Sequence, residues 1–158
     1  MDLILWRHAD AVLGSETLPD MDRPLSPKGH KQAKRMGEWL NRVLPENARI
    51  LVSPALRTLA TADALERRYK TVPGLAPDGT IEHLLLETRW PQAKEVTVVV
   101  GHQPTLGLAA AYLMGARHVT AEDPWRIKKG AIWWIRAKAL ENGELSVTTV
   151  AVRTPELI

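Results

Sequence analysis

Two arginines and two histidines in this chain stand where short apolar runs stop. LILW ends on Arg7-His8, VTVVV ends on Gly101-His102, and RILV ends on Ser53, with Arg57 one helical turn further on. Arginine presents a planar fork of donors that matches phosphoryl oxygens, so Arg7 and Arg57 read as an anion clamp. Cationic charge nearby disfavours protonation of His8. An imidazole has an ordinary pKa of about 6.5, and in its neutral form it is a nucleophile. With no cysteine in the chain, thiolate nucleophiles, disulfides and thiolate metal sites are excluded, which leaves His8 as the best covalent catalyst. His30 and His83 fall in helical stretches and His118 in a loop-like one, so only His8 and His102 share the strand-end position.

Those four side chains need elements that bring them to one rim. Residues 2–6 and 49–53 are apolar runs of strand length, and residues 96–100 form a third, β-branched and apolar on both faces, as a central parallel strand should be. Ser26-Pro27 reads as an N-cap followed by proline at the first helical position, opening a helix with Ala33, Met36, Leu40, Val43 and Leu44 on one face and Pro45 after it. Ser53-Pro54 repeats that signal before Leu56, Leu59, Ala60, Ala64 and Leu65. A short strand is expected near Val72, helices over 81–89 and from about Thr105 to Met114, and a hairpin around Glu141-Asn142-Gly143-Glu144. This alternation predicts an α/β fold of three layers, α/β/α, with a mostly parallel sheet and a C-terminal antiparallel hairpin. In such sheets ligands bind beyond the carboxyl ends of the strands. Gln103 and Thr105, opening the helix after the last run, are expected against a bound phosphate.

At 158 residues, 45% hydrophobic and 25% charged, the chain is expected to form one domain spanning 1–158. No run approaches the ~18 apolar residues of a membrane span. Asp2 stands where a signal peptide would be basic, so a cytoplasmic protein without a membrane partner is expected. The net charge of +3 is too balanced for a nucleic-acid partner. The basic excess is local: Lys28, His30, Lys31, Lys34, Arg35 and Arg42 share one helical segment, which reads as a solvated face or as a docking surface for an acidic protein.

With RHAD at 7–10, SPALRTLAT at 53–61 and GHQP at 101–104, in that order, the chain resembles the histidine phosphatase superfamily, whose fold is phosphoglycerate mutase-like. Asp22-Arg23-Pro24-Leu25-Ser26 with Gly29 is similar to that family's RPLT..G element. Together with the short length, it resembles the SixA-like phosphohistidine phosphatases. The resemblance implies that His8 becomes phosphorylated and that Arg7, Arg57 and His102 complete the phosphate pocket, with Gln103 a further substrate contact. Neither a metal nor another cofactor is implied.

Members acting on phosphate esters generally use an acid after the third strand to protonate the leaving alcohol. The corresponding stretch here, GLAPDGTIEHL, offers Asp78 and Glu82 outside the usual glutamate motif. Asp10 and Asp22 are expected to orient Arg7 or Arg23 by hydrogen bonds, Asp22 being a third candidate acid. An imidazole leaves more readily than an alkoxide. The expected activity is therefore removal of the phosphoryl group from a histidine-phosphorylated protein; the alternative is a phosphomonoesterase acting on a small phosphorylated metabolite. A metal-dependent hydrolase built on His8, Asp10, Asp22 and His102 is disfavoured, because two arginines aimed at one place repel a divalent cation. A catalytically silent phosphate-binding module is disfavoured by the intact pair of histidines.

Overall fold

The computed structural model describes residues 1–158. Six strands form one sheet: β1 (Asp2–Arg7), β2 (Arg49–Val52), β3 (Lys70–Thr71), β4 (Thr97–Gly101), β5 (Ile132–Ala139) and β6 (Leu145–Arg153). Their spatial order is β3-β2-β4-β1-β5-β6. The first four in that order run parallel; β5 lies antiparallel to β1 and to β6. Helices α1 (Pro27–Val43), α2 (Leu56–Asp63), α3 (Ile81–Thr88) and α4 (Thr105–Leu113) cover both faces.

Side chains alternate across a strand, which is why runs without polar residues must be covered twice. Ile4 and Trp6, Ile50 and Val52, Val98 and Val100 pack with Met36 and Leu40 of α1 and Ala62 of α2. Leu3, Leu5, Leu51 and Val99 pack on the other face with Leu84 of α3 and Leu106, Ala109 and Ala110 of α4. Every residue of β4 is buried. Fully burying an aliphatic side chain contributes about 1.5–3 kcal/mol, so β1 and β4 are held from both sides up to the residue where each stops.

The start of α1 fixes the loop that leaves β1. Ser26 Oγ accepts from Gly29 N at 3.0 Å, the expected cap, with Pro27 in the first turn. Gly29 has no alternative: a Cβ there would run into the Asp10 carbonyl oxygen. The first turn of α1 thus lies directly on the backbone two residues past His8.

Three local expectations shift. The helix after β2 starts at Leu56 with Ala55 as its N-cap and no side-chain cap bond, so Ser53 caps nothing. Proline at 54 disfavours helical backbone at 53, which leaves the serine extended and its hydroxyl free for another partner. The strand expected near Val72 is Lys70–Thr71, with Val72 adding one more bond, N to Val52 O at 2.8 Å. The hairpin turn is centred as expected, Leu140 N bonding Glu144 O at 2.8 Å and Gly143 taking a positive φ of 84°.

Candidate active site

The abrupt end of β1 is resolved by its backbone, which stays bonded after the apolar run is over. His8 N donates to Gly101 O at the end of β4 (3.1 Å), and His8 O accepts from Gly130 N (3.0 Å). The strand holds its last two residues while their side chains meet the carboxyl rim.

His8 is 7% exposed, and its Nδ1 lies 2.7 Å from Ala9 O. A carbonyl can only accept, so Nδ1 carries the hydrogen and Nε2 keeps its lone pair. Burial pushes the His8 pKa down to about 4, with Arg57, Arg7 and Arg23 adding to the effect against the opposing bond to Ala9. The ring is neutral at cellular pH, as a nitrogen nucleophile must be.

His102 stands beside it, ring centroids 5.4 Å apart and planes inclined at 53°. Its Nε2 is 2.7 Å from Ser53 Oγ, which is what the serine's extended backbone sets up. Ser53 Oγ also accepts from Ala55 N at 3.3 Å; with the serine proton given to His102 Nε2, the ring hydrogen would sit on Nδ1. Burial, followed by His8 and Arg57, pushes the His102 pKa down to about 3.

Each arginine is gripped by its terminal nitrogens. Arg7 Nη1 donates to Ile127 O at 2.8 Å. Arg57, 4% exposed, donates from Nη1 to Asp20 O at 2.7 Å and from Nη2 to Asp20 Oδ2 at 3.1 Å. Arg7 Nε, Arg57 Nε and His102 Nδ1 are buried and have no protein partner. An orphaned buried donor costs about 1–3 kcal/mol. Two guanidiniums whose charge acts on His8, each with an unpartnered buried Nε, and the neighbouring His102 ring suit an oxyanion.

Supporting hydroxyls tie the motifs together. Thr61 Oγ1 donates to Arg57 O at 2.7 Å and accepts from Ala9 N at 3.0 Å, joining the first motif to the second. Thr58 Oγ1 reaches Ser53 O at 2.9 Å and Ala55 O at 2.7 Å. Their position in SPALRTLAT, one and four residues past Arg57, was the available signal.

The structure redistributes the carboxylates. Asp20, not Asp22, is the one at the site: besides Arg57 it takes Arg23 Nη1 on Oδ1 at 3.1 Å. Arg23 first, then Arg57, holds its carboxyl below the usual range. Asp22 is exposed on the same single 3-10 turn, Asp20–Asp22, with no side-chain hydrogen bond. Asp10 orients neither Arg7 nor Arg23; it accepts from Ser26 Oγ (2.6 Å) and Lys129 Nζ (2.9 Å). Asp78 and Glu82 line a separate cavity of about 530 Å³ with Thr105 and Thr120. Gln103 gives one amide N–H to Trp125 O at 2.8 Å while its Oε1 has no partner, and the Thr105 hydroxyl is committed to Gly79 O at 3.0 Å.

Comparisons with known proteins point to one family. The family model of the histidine phosphatase superfamily (branch 1) matches residues 3–78, the stretch holding Arg7, His8 and Arg57. An uncharacterised protein of Picosynechococcus sp. is 36% identical over 68% of this chain and 69% of its own length. The phosphohistidine phosphatase SixA of Escherichia coli is 29% identical over 72% of this chain and 74% of its own. Among solved structures, the protein histidine phosphatase SixA complexed with tungstate superposes with a TM-score of 0.74 at 26% identity, covering 98% of this chain and 97% of that one.

Proposed function

The chain belongs to the histidine phosphatase superfamily, and on that premise we propose that it removes the phosphoryl group from histidine-phosphorylated protein through a phosphohistidine formed on His8. The observation that carries this reading is the set of buried, unpartnered nitrogens, Arg7 Nε, Arg57 Nε and His102 Nδ1, on residues close enough to His8 to stack on it or to lower its pKa.

The reaction runs in two displacements. His8 Nε2 attacks phosphorus in line, forming a P–N bond as the P–N bond to the substrate imidazole breaks; that ring, protonated beforehand on its other nitrogen, departs as neutral imidazole. Arg7, Arg57 and His102 hold the equatorial oxygens, whose charge they stabilise in a site largely cleared of solvent. Water then attacks phosphorus, the bond to His8 Nε2 breaks, and inorganic phosphate leaves a neutral His8 behind.

Leaving-group chemistry favours nitrogen over oxygen. Asp20 is the carboxylate beside Arg57, and two arginines keep it ionised, so it accepts hydrogen bonds and does not donate a proton. An alkoxide needs a positioned acid at the oxygen that leaves, whereas a phosphohistidine ring protonated on its other nitrogen, as an imidazole with a pKa of about 6.5 readily is, departs as neutral imidazole without one.

The test is to incubate the protein with 32P-labelled phosphohistidine peptides and with phosphoserine and sugar-phosphate esters, quench in alkali, and map the retained label. Base-stable, acid-labile label on His8, turnover of the phosphohistidine peptide at least ten times faster than of the esters, and loss of both in His8→Ala are expected. Label on another residue, or turnover without label, overturns the mechanism; equal or faster ester turnover overturns the substrate assignment.

A further inference from the structure

A second feature lies beside the pocket and takes no part in the chemistry above. Lys28, Lys31 and Arg35 recur at i, i+3 and i+7, so they share one face of α1; with Gln32, Pro155 and Glu156 they line a hollow of about 200 Å³. The segment leading into β5 brings Lys128 and Lys129 to the same surface. Gly130 fixes that approach: with φ at 75°, a Cβ on it would stand 2.9 Å from Pro155 Cγ and 3.4 Å from Gln32 Cβ, so the segment lies against α1 and the residues after β6.

The same segment is fastened to the catalytic strand end. Arg7 donates to Ile127 O, Gly130 N donates to His8 O, and Lys129 Nζ pairs with Asp10 Oδ1 at 2.9 Å. The five cations thus extend outward from the residues that hold His8. All five are exposed, and Lys28, Lys31 and Lys128 have no ion-pair partner. Two carboxylates face them, Asp10, already paired, and Glu156. Five cations against two carboxylates leave a surplus of positive charge on one border of the pocket.

We propose that this face, Lys28, Lys31 and Arg35 of α1 with Lys128 and Lys129, docks an acidic surface flanking the phosphohistidine of a protein substrate. The proposal rests on the phosphohistidine reading above. Complementary charge at the border of a site raises the encounter rate and fixes orientation while leaving the chemical step alone. A small ester gains little from it; a protein whose acidic face surrounds the reacting histidine gains at every encounter.

Two synthetic peptides with the same phosphohistidine, one flanked by Asp and Glu and one by Ser and Gln, serve as probes, with free phosphohistidine as the small substrate. Wild type is expected to favour the acidic peptide about tenfold in kcat/KM at low salt, and to lose the preference near 1 M salt, where the Debye length falls to about 3 Å. The triple variant K28E/K31E/K128E is expected to lose the preference at low salt while hydrolysing free phosphohistidine at the wild-type rate. A preference unchanged in the variant, or absent from wild type, overturns the docking face while leaving the activity in place. Binding of a labelled single-stranded oligonucleotide that the variant loses, without any peptide preference, reassigns the face to nucleic acid. Wild type inert toward free phosphohistidine and both peptides overturns the substrate reading, and the docking proposal with it.

Discussion

Lowering the pH should destabilise this protein through two buried histidines of the candidate site. His8 and His102 have folded-state pKa values pushed down to about 4 and about 3, burial being the larger cause in each, whereas an imidazole in the unfolded chain titrates near 6.5. Above pH 6.5 neither state binds the proton and the pair leaves stability untouched. As pH falls below 6.5 the unfolded chain takes up protons that the folded protein refuses, so stability drops until the folded pKa values are reached. Between pH 7 and pH 5 each ring contributes a loss of about 2 kcal/mol, or about 4 kcal/mol for the pair, a large share of the ~5–15 kcal/mol that holds a typical domain together. Urea unfolding at the two pH values, for wild type and for H8N/H102N, isolates the effect: the wild type should lose about 4 kcal/mol more than the variant. NMR titration of the His8 ring should find the neutral Nδ1–H form still dominant at pH 5. Parallel stability profiles for the two proteins, or a His8 midpoint near 6.5, would refute the account of how the nucleophile is kept unprotonated.

Asp20 and Gly29 offer sharper local tests. Asp20→Asn removes a negative charge that pairs with Arg57 at 3.1 Å across a partly solvated gap; exposed pairs of this kind are worth ~0.2–1 kcal/mol, so inorganic phosphate, the product of the proposed reaction, should bind up to about fivefold more tightly, and weaker binding in a competition assay would count against the assignment. Gly29→Ala drives a methyl group into the Asp10 carbonyl oxygen; overpacking of this kind costs ~1–3 kcal/mol, so the urea midpoint should fall with an unchanged slope, and a midpoint equal to wild type would mean that α1 does not press on the loop as described.

Much of the site was legible because it is written in side chains at strand ends. Arg7, His8 and His102 follow apolar runs whose burial on both faces fixes where they stop, and Arg57 follows a strand by one turn. Asp20 was missed in favour of Asp22 because both acids sit in one 3-10 turn around Met21; which of them faces Arg57 depends on backbone dihedrals that residue type does not encode. Ser53 was read as a cap because its hydroxyl and the following proline suit one, and its bond to His102 arises only when β2 and β4 lie side by side. Segment 127–130 left no trace in the pattern because it acts through backbone atoms, Ile127 O on Arg7 and Gly130 N on His8. Any sequence able to trace that path would present the same carbonyl and amide.

The position of β1 between β4 and β5 has a bearing on synthesis. His8 is among the earliest residues of this stretch to leave the ribosome, yet both neighbours of its strand come much later, at Thr97–Gly101 and Ile132–Ala139. At ~5–20 residues per second the run LILW waits on the order of 10 s for β5. Until β4 emerges it is an unpaired apolar strand with two open edges, and until β5 follows one edge stays open, which makes this interval one in which a nascent chain is exposed to aggregation.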